Sequence, residues 1–328
     1  MYRPLAGDGV VRGLIEAAGA APSIHNTQPW RFRVTDELIE LHGDPDRMLW
    51  VADPRGRALH LSCGAALFNL RLAIRMTGAK PLVWPLPAPG SQPTLLASVE
   101  LVPGRPPTSD ERAMFEMIYR RHTSRMPFSD LPIPEPVRFR LEQEAAHEFA
   151  TLRILNVSDA NLVLDLAEAA DRDLAADFGH QVELDQWIGT EGEDGIPADA
   201  LGSRPVFTPA PVRDFGRASP AIVLPPGRYE REPRLAVLAT AGDRPGDWLR
   251  AGQALQRVLL VAAGKGLAAS LLYQQIELHD MRQEDTGWWP WPECPQIIIR
   301  LGYGPEGNGS PRRGVDDILE RQHPGIRP

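Results

Sequence analysis

The chain has 328 residues, of which 43% are hydrophobic and 24% are charged, a composition typical of a folded protein with one large or two modest domains. Its formal net charge of -8 argues against a general binder of nucleic acid or of anionic membranes, because both need a cationic face. Two cysteines without a CxxC motif, no long apolar run and no signal-peptide pattern predict a cytoplasmic protein that does not enter a membrane.

A polar block, APSIHNTQPW, lies between a predicted helix and a predicted strand, RFRV. Pro22 interrupts the preceding helix. The block then offers closely spaced donors and acceptors on Ser23, His25, Asn26, Thr27 and Gln28. Such a loop could contact the edge of a flat heteroaromatic ring; alternatively, Ser23 and Asn26 only cap turns.

The next element is a predicted buried helix, GAALFNLRLAIRMTG (residues 64–78), which is apolar nearly all round and ends at a glycine suited to a left-handed C-cap. A predicted strand, LLASVELVPG (95–104), follows it. After a Pro- and Gly-rich linker, SDERAMFEMIYRR predicts a helix with Ser109 as its N-cap.

A basic cluster, YRRHTSR, follows where this helix gives way to a loop. Its side chains suit a phosphate and a polyhydroxyl chain, because guanidinium groups bind phosphate bidentately. The candidate residues are Arg120, Arg121, His122, Thr123 and Arg125. A late loop, SPRRGVDD, adds Arg312 and Arg313. The alternative interpretation is solvated surface arginine in an arginine-rich chain.

Two further helical segments are predicted, EPVRFRLEQEAAHEF and SDANLVLDLAEAADRDLAADFGHQVELDQWI, with a strand, TLRIL, between them. From Gly189 to about Arg234 the sequence is rich in Gly, Pro and Asp and predicts a long loop. Loops of this length are usually functional covers or disordered segments, so a lid over a site and a plain surface excursion both remain open.

A second buried helix, GQALQRVLLVAAGKG (252–266), aligns without gaps with residues 64–78 at an offset of 188 residues. A predicted strand, PQIIIRLGYGP (295–305), follows this copy as well. A helix-strand unit that occurs twice predicts two similar halves about a pseudo-two-fold axis, unless the similarity of two apolar helices is due to chance.

Common catalytic motifs are absent from the sequence. It contains no P-loop, no GxGxxG after a strand, no HExxH, no Cys/His cluster and no GxSxG. The glycine-rich GYGPEGNG follows the last strand and predicts a turn. Hydrolase chemistry and a metal site therefore have little support.

Three motifs resemble those of one known family. APSIHNTQPWRF resembles the PSSxNxQPWxF signature of the FMN-dependent nitroreductase superfamily, and RRHTSRMPF and PRRGVDDIL resemble its N-terminal and C-terminal arginine motifs. The form APSxHNTQPW in a chain of this length looks most like the Acg-type NAD(P)H nitroreductases of actinobacteria. With the repeats, the resemblance covers most of the chain.

The resemblance implies an α+β fold of two tandem half-copies that mimic the family homodimer, each a mainly antiparallel sheet packed with helices. The halves would span residues 1–106 and 107–328, the second with a lid at about 189–234. The first half lacks the arginine motif and the second lacks NxQPW. One FMN site would therefore form between the halves of a monomer acting as an intramolecular pseudo-dimer, and the pseudo-symmetric second site would be degenerate.

The resemblance also assigns residues to the FMN site. Those expected to bind the cofactor are Pro22, Ser23, Ile24, His25, Asn26, Arg120, Arg121, His122, Thr123, Arg125, Arg312 and Arg313. Gln28 and Trp30 would brace the loop, and Tyr273 or Gln274 would present a backbone amide to flavin N5. The resemblance assigns no catalytic side chain, because the flavin itself carries out the redox chemistry.

The implied activity is NAD(P)H-dependent two-electron reduction of a small nitroaromatic or quinone-like acceptor by a ping-pong scheme. One alternative is an FMN storage or sequestering protein, in which the loop at 189–234 bars the flavin from reductant and acceptor. Another is a structural protein with a decayed flavin site. Because lids also open, a cover alone does not exclude catalysis.

Overall fold

The computed structural model describes residues 7–35, 37–206, 212, 215, 223–272, 289–305 and 307–321. Its helices of two or more turns are α1 (Asp8–Gly19), α2 (Arg57–Met76), α3 (Ser109–Met117), α4 (Glu135–His147), α5 (Val157–Ala176), α6 (Phe178–Asp185) and α7 (Pro245–Gly264). Its strands are β1 (Trp30–Val34), β2 (Leu38–Gly43), β3 (Ala79–Pro85), β4 (Leu95–Pro103), β5 (Thr151–Ile154), β6 (Arg204–Pro205), β7 (Pro226–Gly227), β8 (Arg234–Thr240), β9 (Ala268–Leu272), β10 (Cys294–Gly302) and β11 (Leu319–Arg321). The protein is α+β. No helix in the described ranges is long and apolar enough to cross a membrane.

Two main sheets share a strand order. The first runs β11-β1-β2-β4-β3 and the second runs β5-β8-β10-β9. In β1-β2-β4-β3 and in β5-β8-β10-β9 all neighbouring strands are antiparallel. The central strands also share a defect, because the pairing skips Leu96 in β4 and Gln296 in β10. In each sheet one long helix, α2 or α7, joins the second strand in the chain to the third.

The helices α2 and α7 cross at two glycines. A Cβ added at Gly64 would lie 2.2 Å from the Leu249 carbonyl oxygen, and one added at Gly252 would lie 2.0 Å from the Leu61 carbonyl oxygen. These are the positions that the sequence alignment pairs at the 188-residue offset. The predicted helix ends are confirmed: Gly78 and Gly266, just beyond α2 and α7, have φ of 82° and 73°.

A hydrophobic core lies on one face of each sheet. The first core joins α1 and α2 to strands β1, β2 and β4, and Trp30, Phe32 and Leu67 are fully buried in it. The second joins α4 and α7 to β5, β8 and β10. Side chains of α2 and α7 contribute to both cores, so the two sheets are built around one central helix pair.

The sheets differ in their connections. Residues 20–29, which contain the polar block except Trp30, join α1 to β1, whereas residues 148–150 alone join α4 to β5. Conversely, β2 begins four residues after β1 ends, whereas α5, α6 and a long irregular segment lie between β5 and β8. We call residues 189–234 the insert segment. Within it, residues 207–211, 213–214 and 216–222 lie outside the described ranges.

Several sequence expectations need correction. The N-cap of α3 is Thr108, not Ser109, because Thr108 and Glu111 form a capping box, and α3 ends at Met117 rather than continuing to Arg121. The predicted continuous helix after β5 breaks at Asp177, whose side chain accepts from the backbone N–H of His180 and caps α6.

The C-terminal segment returns to the first sheet. Strand β11 pairs in parallel with β1, with Leu319 opposite Phe32. Just before it, Asp316 accepts two hydrogen bonds, of 2.7 and 2.9 Å, from Arg12 of α1. This path brings Arg312 and Arg313 beside the polar block.

Candidate functional site

A cavity that is partly open to solvent lies between the polar block and the second sheet. We call it the first cavity. Of the residues predicted from sequence, those that line it are Pro22, Ser23, Ile24, His25, Thr123 and Arg125.

The walls of the first cavity are mainly apolar. They include Leu61 of α2, Leu255 of α7, Leu271 of β9 and Ile297 of β10, none of which the sequence singled out. Ser62 is a polar exception, and its Oγ accepts from the Ile24 N–H (3.3 Å). Apolar walls with a few polar groups suit a flat, largely hydrophobic ring.

The polar block has a strained backbone. His25, Asn26 and Gln28 have φ of 46°, 56° and 48°, in the left-handed region that residues other than glycine rarely adopt. The hydroxyl of Ser23 stabilises the turn by accepting from the Gln28 N–H (2.9 Å), so the turn-capping interpretation of Ser23 is correct alongside its place in the cavity wall. Strain of this kind is typical of functional sites.

Asn26 connects three segments. Its Nδ2 donates to the carbonyl oxygens of Gly195 and Pro311, both at 2.9 Å, and its Oδ1 accepts from Nη1 of Arg312 (2.9 Å). Gln28 is placed similarly, because it donates to the Glu193 carbonyl (2.9 Å) and accepts from the Arg313 N–H (2.8 Å). The side chains of Asn26 and Gln28 thus fasten the polar block to the insert segment and to the C-terminal segment.

The arginine segment, residues 120–125, runs beside β9. Thr123 pairs in parallel with Ala269, and the Ser124 N–H donates to the Ala269 carbonyl (2.8 Å). Alternate side chains of an extended segment point in opposite directions. Thr123 and Arg125 accordingly line the first cavity. A second cavity is lined by Arg120, Arg121, His122 and Ser124.

Among the described residues, two arginines of the site, the buried Arg121 and the half-buried Arg312, have no anionic partner. Arg121 is only 5% exposed. Among the described residues neither Arg121 nor Arg312 forms an ion pair with a carboxylate, and the Nε of each lacks a hydrogen-bond partner. Burial, together with the nearby charge of Arg312, lowers the pKa of Arg121 to about 9, and burial lowers the pKa of Arg312 to about 10. Because buried charge is costly when unpaired, the arrangement fits a bound anion such as a phosphate group.

Arg313 and Arg120 have different surroundings. Arg313 is half-buried and donates to the backbone carbonyls of Gln28 (3.2 Å) and Asp317 (2.6 Å). Arg120 is exposed at the rim of the second cavity. Their roles as cofactor ligands stay predictions. Tyr273 and Gln274 lie outside the described residues.

We expect inorganic phosphate to stabilise the FMN-free protein against thermal unfolding, because it supplies an anion to Arg121 and Arg312, which have none among the described residues. A ligand at 100 times its Kd adds about 2.7 kcal/mol. Thermal unfolding in phosphate and in chloride at equal ionic strength would measure the gain. Arg121→Met and Arg312→Met should lose most of it, and an equal gain in the wild type and in both variants would contradict the assignment.

The insert segment packs onto the polar block. The Gly195 N–H donates to the Asn26 carbonyl (3.3 Å), and Asp194 pairs with Arg47 (2.7 Å), which also donates to the Thr27 carbonyl (2.7 Å). Phe215 reaches the wall of the first cavity and contacts His25 edge-on, with 6.4 Å between the ring centroids. A small core holds the segment together, formed by Leu184, Ile188, Ile196, Ala200, Leu201, Phe215 and Leu224. The described part of the segment therefore contacts the polar block and lines the first cavity, and its role as a lid stays a prediction.

Known proteins define the family of this chain, although no family model matches it. The chain is 32% identical over 321 residues to "Putative NAD(P)H nitroreductase acg" of Mycobacterium tuberculosis (strain H37Rv), with 94% of this chain and 95% of the relative covered. It is 33% identical over 322 residues to "Putative NAD(P)H nitroreductase Rv3131" of the same strain, with 94% and 91% covered. The chain belongs to the nitroreductase family, and within it to the Acg-type NAD(P)H nitroreductases.

Solved structures give weaker matches. A Bacteroides fragilis nitroreductase with bound FMN is 15% identical and has a TM-score of 0.37, with 60% of this chain and 90% of that chain covered. The FMN- and NADPH-dependent nitroreductase NfnB of a Sphigopyxis strain is 16% identical and has a TM-score of 0.38, with 66% and 100% covered. Similarity at this level carries no argument about function.

Proposed function

We propose that the chain binds one FMN and uses NAD(P)H to reduce small nitroaromatic or quinone-like acceptors. The observation that carries this proposal is the buried Arg121 near the half-buried Arg312, neither of which has an anionic partner among the described residues. Asn26 links Arg312 to the polar block, which lines the apolar-walled first cavity. FMN combines a phosphate with a flat ring, so each part of the site has a matching group. The names of the two M. tuberculosis relatives support the NAD(P)H dependence.

The residues divide into two groups in this proposal. Arg121 and Arg312 hold the phosphate, with Arg120, His122 and Arg313 as neighbours, and Asn26 orients Arg312. The residues of the first cavity hold the ring and its ribityl chain: Pro22, Ser23, Ile24, His25, Thr123 and Arg125. Bound FMN supplies hydride transfer between reductant and acceptor. The positive charge of Arg125 favours negative charge on the ring, and the apolar walls exclude water.

We also propose that the chain consists of two half-copies, residues 1–106 and 107–328, with β11 of the second completing the sheet of the first. The matching strand order, the matching bulges and the contact of Gly64 with Gly252 support this division. The second half has residues 148–150 where the first has the polar block. One FMN per chain follows, and a second copy of the chain is not needed to complete the site.

A second candidate function is storage of FMN with little turnover. The observation that favours it is the closure of the insert segment over the polar block through Gly195, Asp194 and Phe215. A closed segment would keep NAD(P)H and acceptor from the ring. An opening segment would act as a lid and permit turnover.

Anaerobic stopped-flow spectroscopy distinguishes the two functions. We expect the purified protein to be yellow with about one FMN per chain, and NADPH or NADH to bleach the flavin. The substitution Asp194→Asn weakens the contact with Arg47. If the insert segment is a lid, the flavin of this variant should be bleached faster than that of the wild type. Bleaching in neither protein would favour storage. Two FMN per chain, or none after adding FMN, would contradict the single-site proposal.

We expect Arg125→Ala to weaken FMN binding by about 1.5–3 kcal/mol, or roughly 10- to 150-fold in Kd, because it removes a charge-assisted contact. Titration of the FMN-free protein followed by flavin fluorescence would measure the change. Arg138→Ala, at an exposed position of α4, is the matched control and should bind FMN as the wild type does. Unchanged affinity in Arg125→Ala would show that this arginine makes no energetically important contact with FMN.

A further inference from the structure

The insert segment holds Arg125 in the wall of the first cavity. Nη1 of Arg125 donates to the Ala200 carbonyl (3.0 Å), and its guanidinium lies 5.5 Å from the centroid of the Phe215 ring. Gly202, with a φ of 89°, passes so close that a Cβ there would lie 2.5 Å from the Arg125 carbonyl oxygen. Contacts from the insert segment therefore reach both the backbone and the side chain of Arg125.

Tyr229 joins the two segments at their backbones. Its hydroxyl lies 2.8 Å from the carbonyl oxygen of Arg125 and 2.8 Å from that of Ser203. Both partners are acceptors, so the one phenolic proton serves both carbonyls. The ring of Tyr229 lies 5.2 Å from the guanidinium of Arg300, which the buried carboxylate of Glu230 fixes in turn. The ring that carries the hydroxyl thus lies beside a buried ion pair.

We propose that Tyr229 is a positioning residue for Arg125. Its hydroxyl couples closure of the insert segment to the binding of FMN by Arg125. Without this proton the carbonyls of Arg125 and Ser203 face each other without a donor between them, and the two segments separate. With the hydroxyl in place, opening of the insert segment and release of FMN are one motion, and without it they are two. This inference rests on the proposed FMN function.

Release of FMN from Tyr229→Phe tests the coupling. After dilution into a scavenger of free FMN, we expect release to be about 2- to 10-fold faster than in the wild type, the range for one lost hydrogen bond. Tyr303→Phe is the matched control, because Tyr303 is also half-buried and lies just after β10, outside these contacts. Release unchanged in Tyr229→Phe, or changed equally in both variants, would overturn the proposal.

A double-mutant cycle separates positioning from a general structural role. In the Arg125→Ala background we expect Tyr229→Phe to add little to the release rate, because the group that it positions is gone. If the two effects multiply instead, Tyr229 acts independently of Arg125 and the proposal fails.

Hydrogen exchange of the FMN-free protein gives a readout that does not depend on the cofactor. We expect faster exchange in Tyr229→Phe at residues 123–128 and at residues 200–206 together, and no change in Tyr303→Phe. Acceleration in one segment alone, or in neither, would contradict the coupling. A wild type that binds no FMN would refute the proposed function, whereas the exchange result would still decide whether Tyr229 joins the segments.

Discussion

Glu230→Gln is expected to lower the free energy of unfolding by about 3–5 kcal/mol, because it leaves the charge of Arg300 buried without its partner. Arg300 is 0% exposed and donates to both carboxylate oxygens of Glu230, at 2.6 and 2.7 Å. The same carboxylate accepts from the Phe128 N–H (3.0 Å), and Arg300 donates to the Met126 carbonyl (3.1 Å). Loss of the pair should therefore also loosen the chain just after Arg125 and weaken FMN binding.

Urea unfolding of the variants measures this effect. Glu40→Gln is the matched control, since Glu40 pairs with the more exposed Arg33 at 2.6 Å, and it should cost about 1 kcal/mol or less. The double replacement Arg300→Met with Glu230→Leu should cost less than Glu230→Gln, because it removes both charges. Equal costs for Glu230→Gln and Glu40→Gln would show that the buried pair does not fix this part of the fold.

Gly252→Ala is expected to lower the free energy of unfolding by about 3 kcal/mol, the upper part of the range for overpacked cores. The added Cβ would lie 2.0 Å from the oxygen and 2.8 Å from the carbon of the Leu61 carbonyl. Both are backbone atoms, so no change of rotamer relieves the clash and the helices α2 and α7 must move apart. Since Leu61 and Leu255 line the first cavity, FMN affinity should fall as well.

Gly13→Ala provides the control for this substitution. A Cβ at Gly13, inside α1, meets nothing within 4 Å, so alanine should stabilise the protein by about 0.5–1 kcal/mol through its better helix propensity. Chemical denaturation of both variants gives the comparison. A Gly252→Ala variant as stable as the wild type would mean that the two helices do not cross as closely as described.

Local sequence signals predicted part of the fold well. The helices α2 and α7 and their left-handed glycines could be recognised because apolar periodicity and capping act within a few residues. Strands β1, β4, β5 and β10 also carry local apolar patterns. Strands β2, β3, β8 and β9 were not predicted. The break at Asp177 was also missed, because an aspartate in a helical pattern shows its capping role only when its partner N–H is known.

The candidate site was predictable only as far as its motifs extend. The polar block and the arginine segment could be recognised from their residue types, and the structure brings both beside the first cavity. Thr123 and Arg125 line the first cavity and His122 lines the second because the segment pairs with β9. No local sequence pattern predicts this pairing. Arg300, Glu230 and Tyr229 belong to no motif, and their roles depend on partners far away in the chain.

The return of the C-terminal segment to the first sheet has a consequence for biosynthesis. The polar block leaves the ribosome early, but Asn26 and Gln28 obtain their partners at 311–313, and β1 its neighbour β11, only when residues 311–321 have been made. The site is therefore completed only after residues 311–321 have been made. A chain truncated before residue 311 would contain the residues of both central helices but not the partners of Asn26, Gln28 and β1.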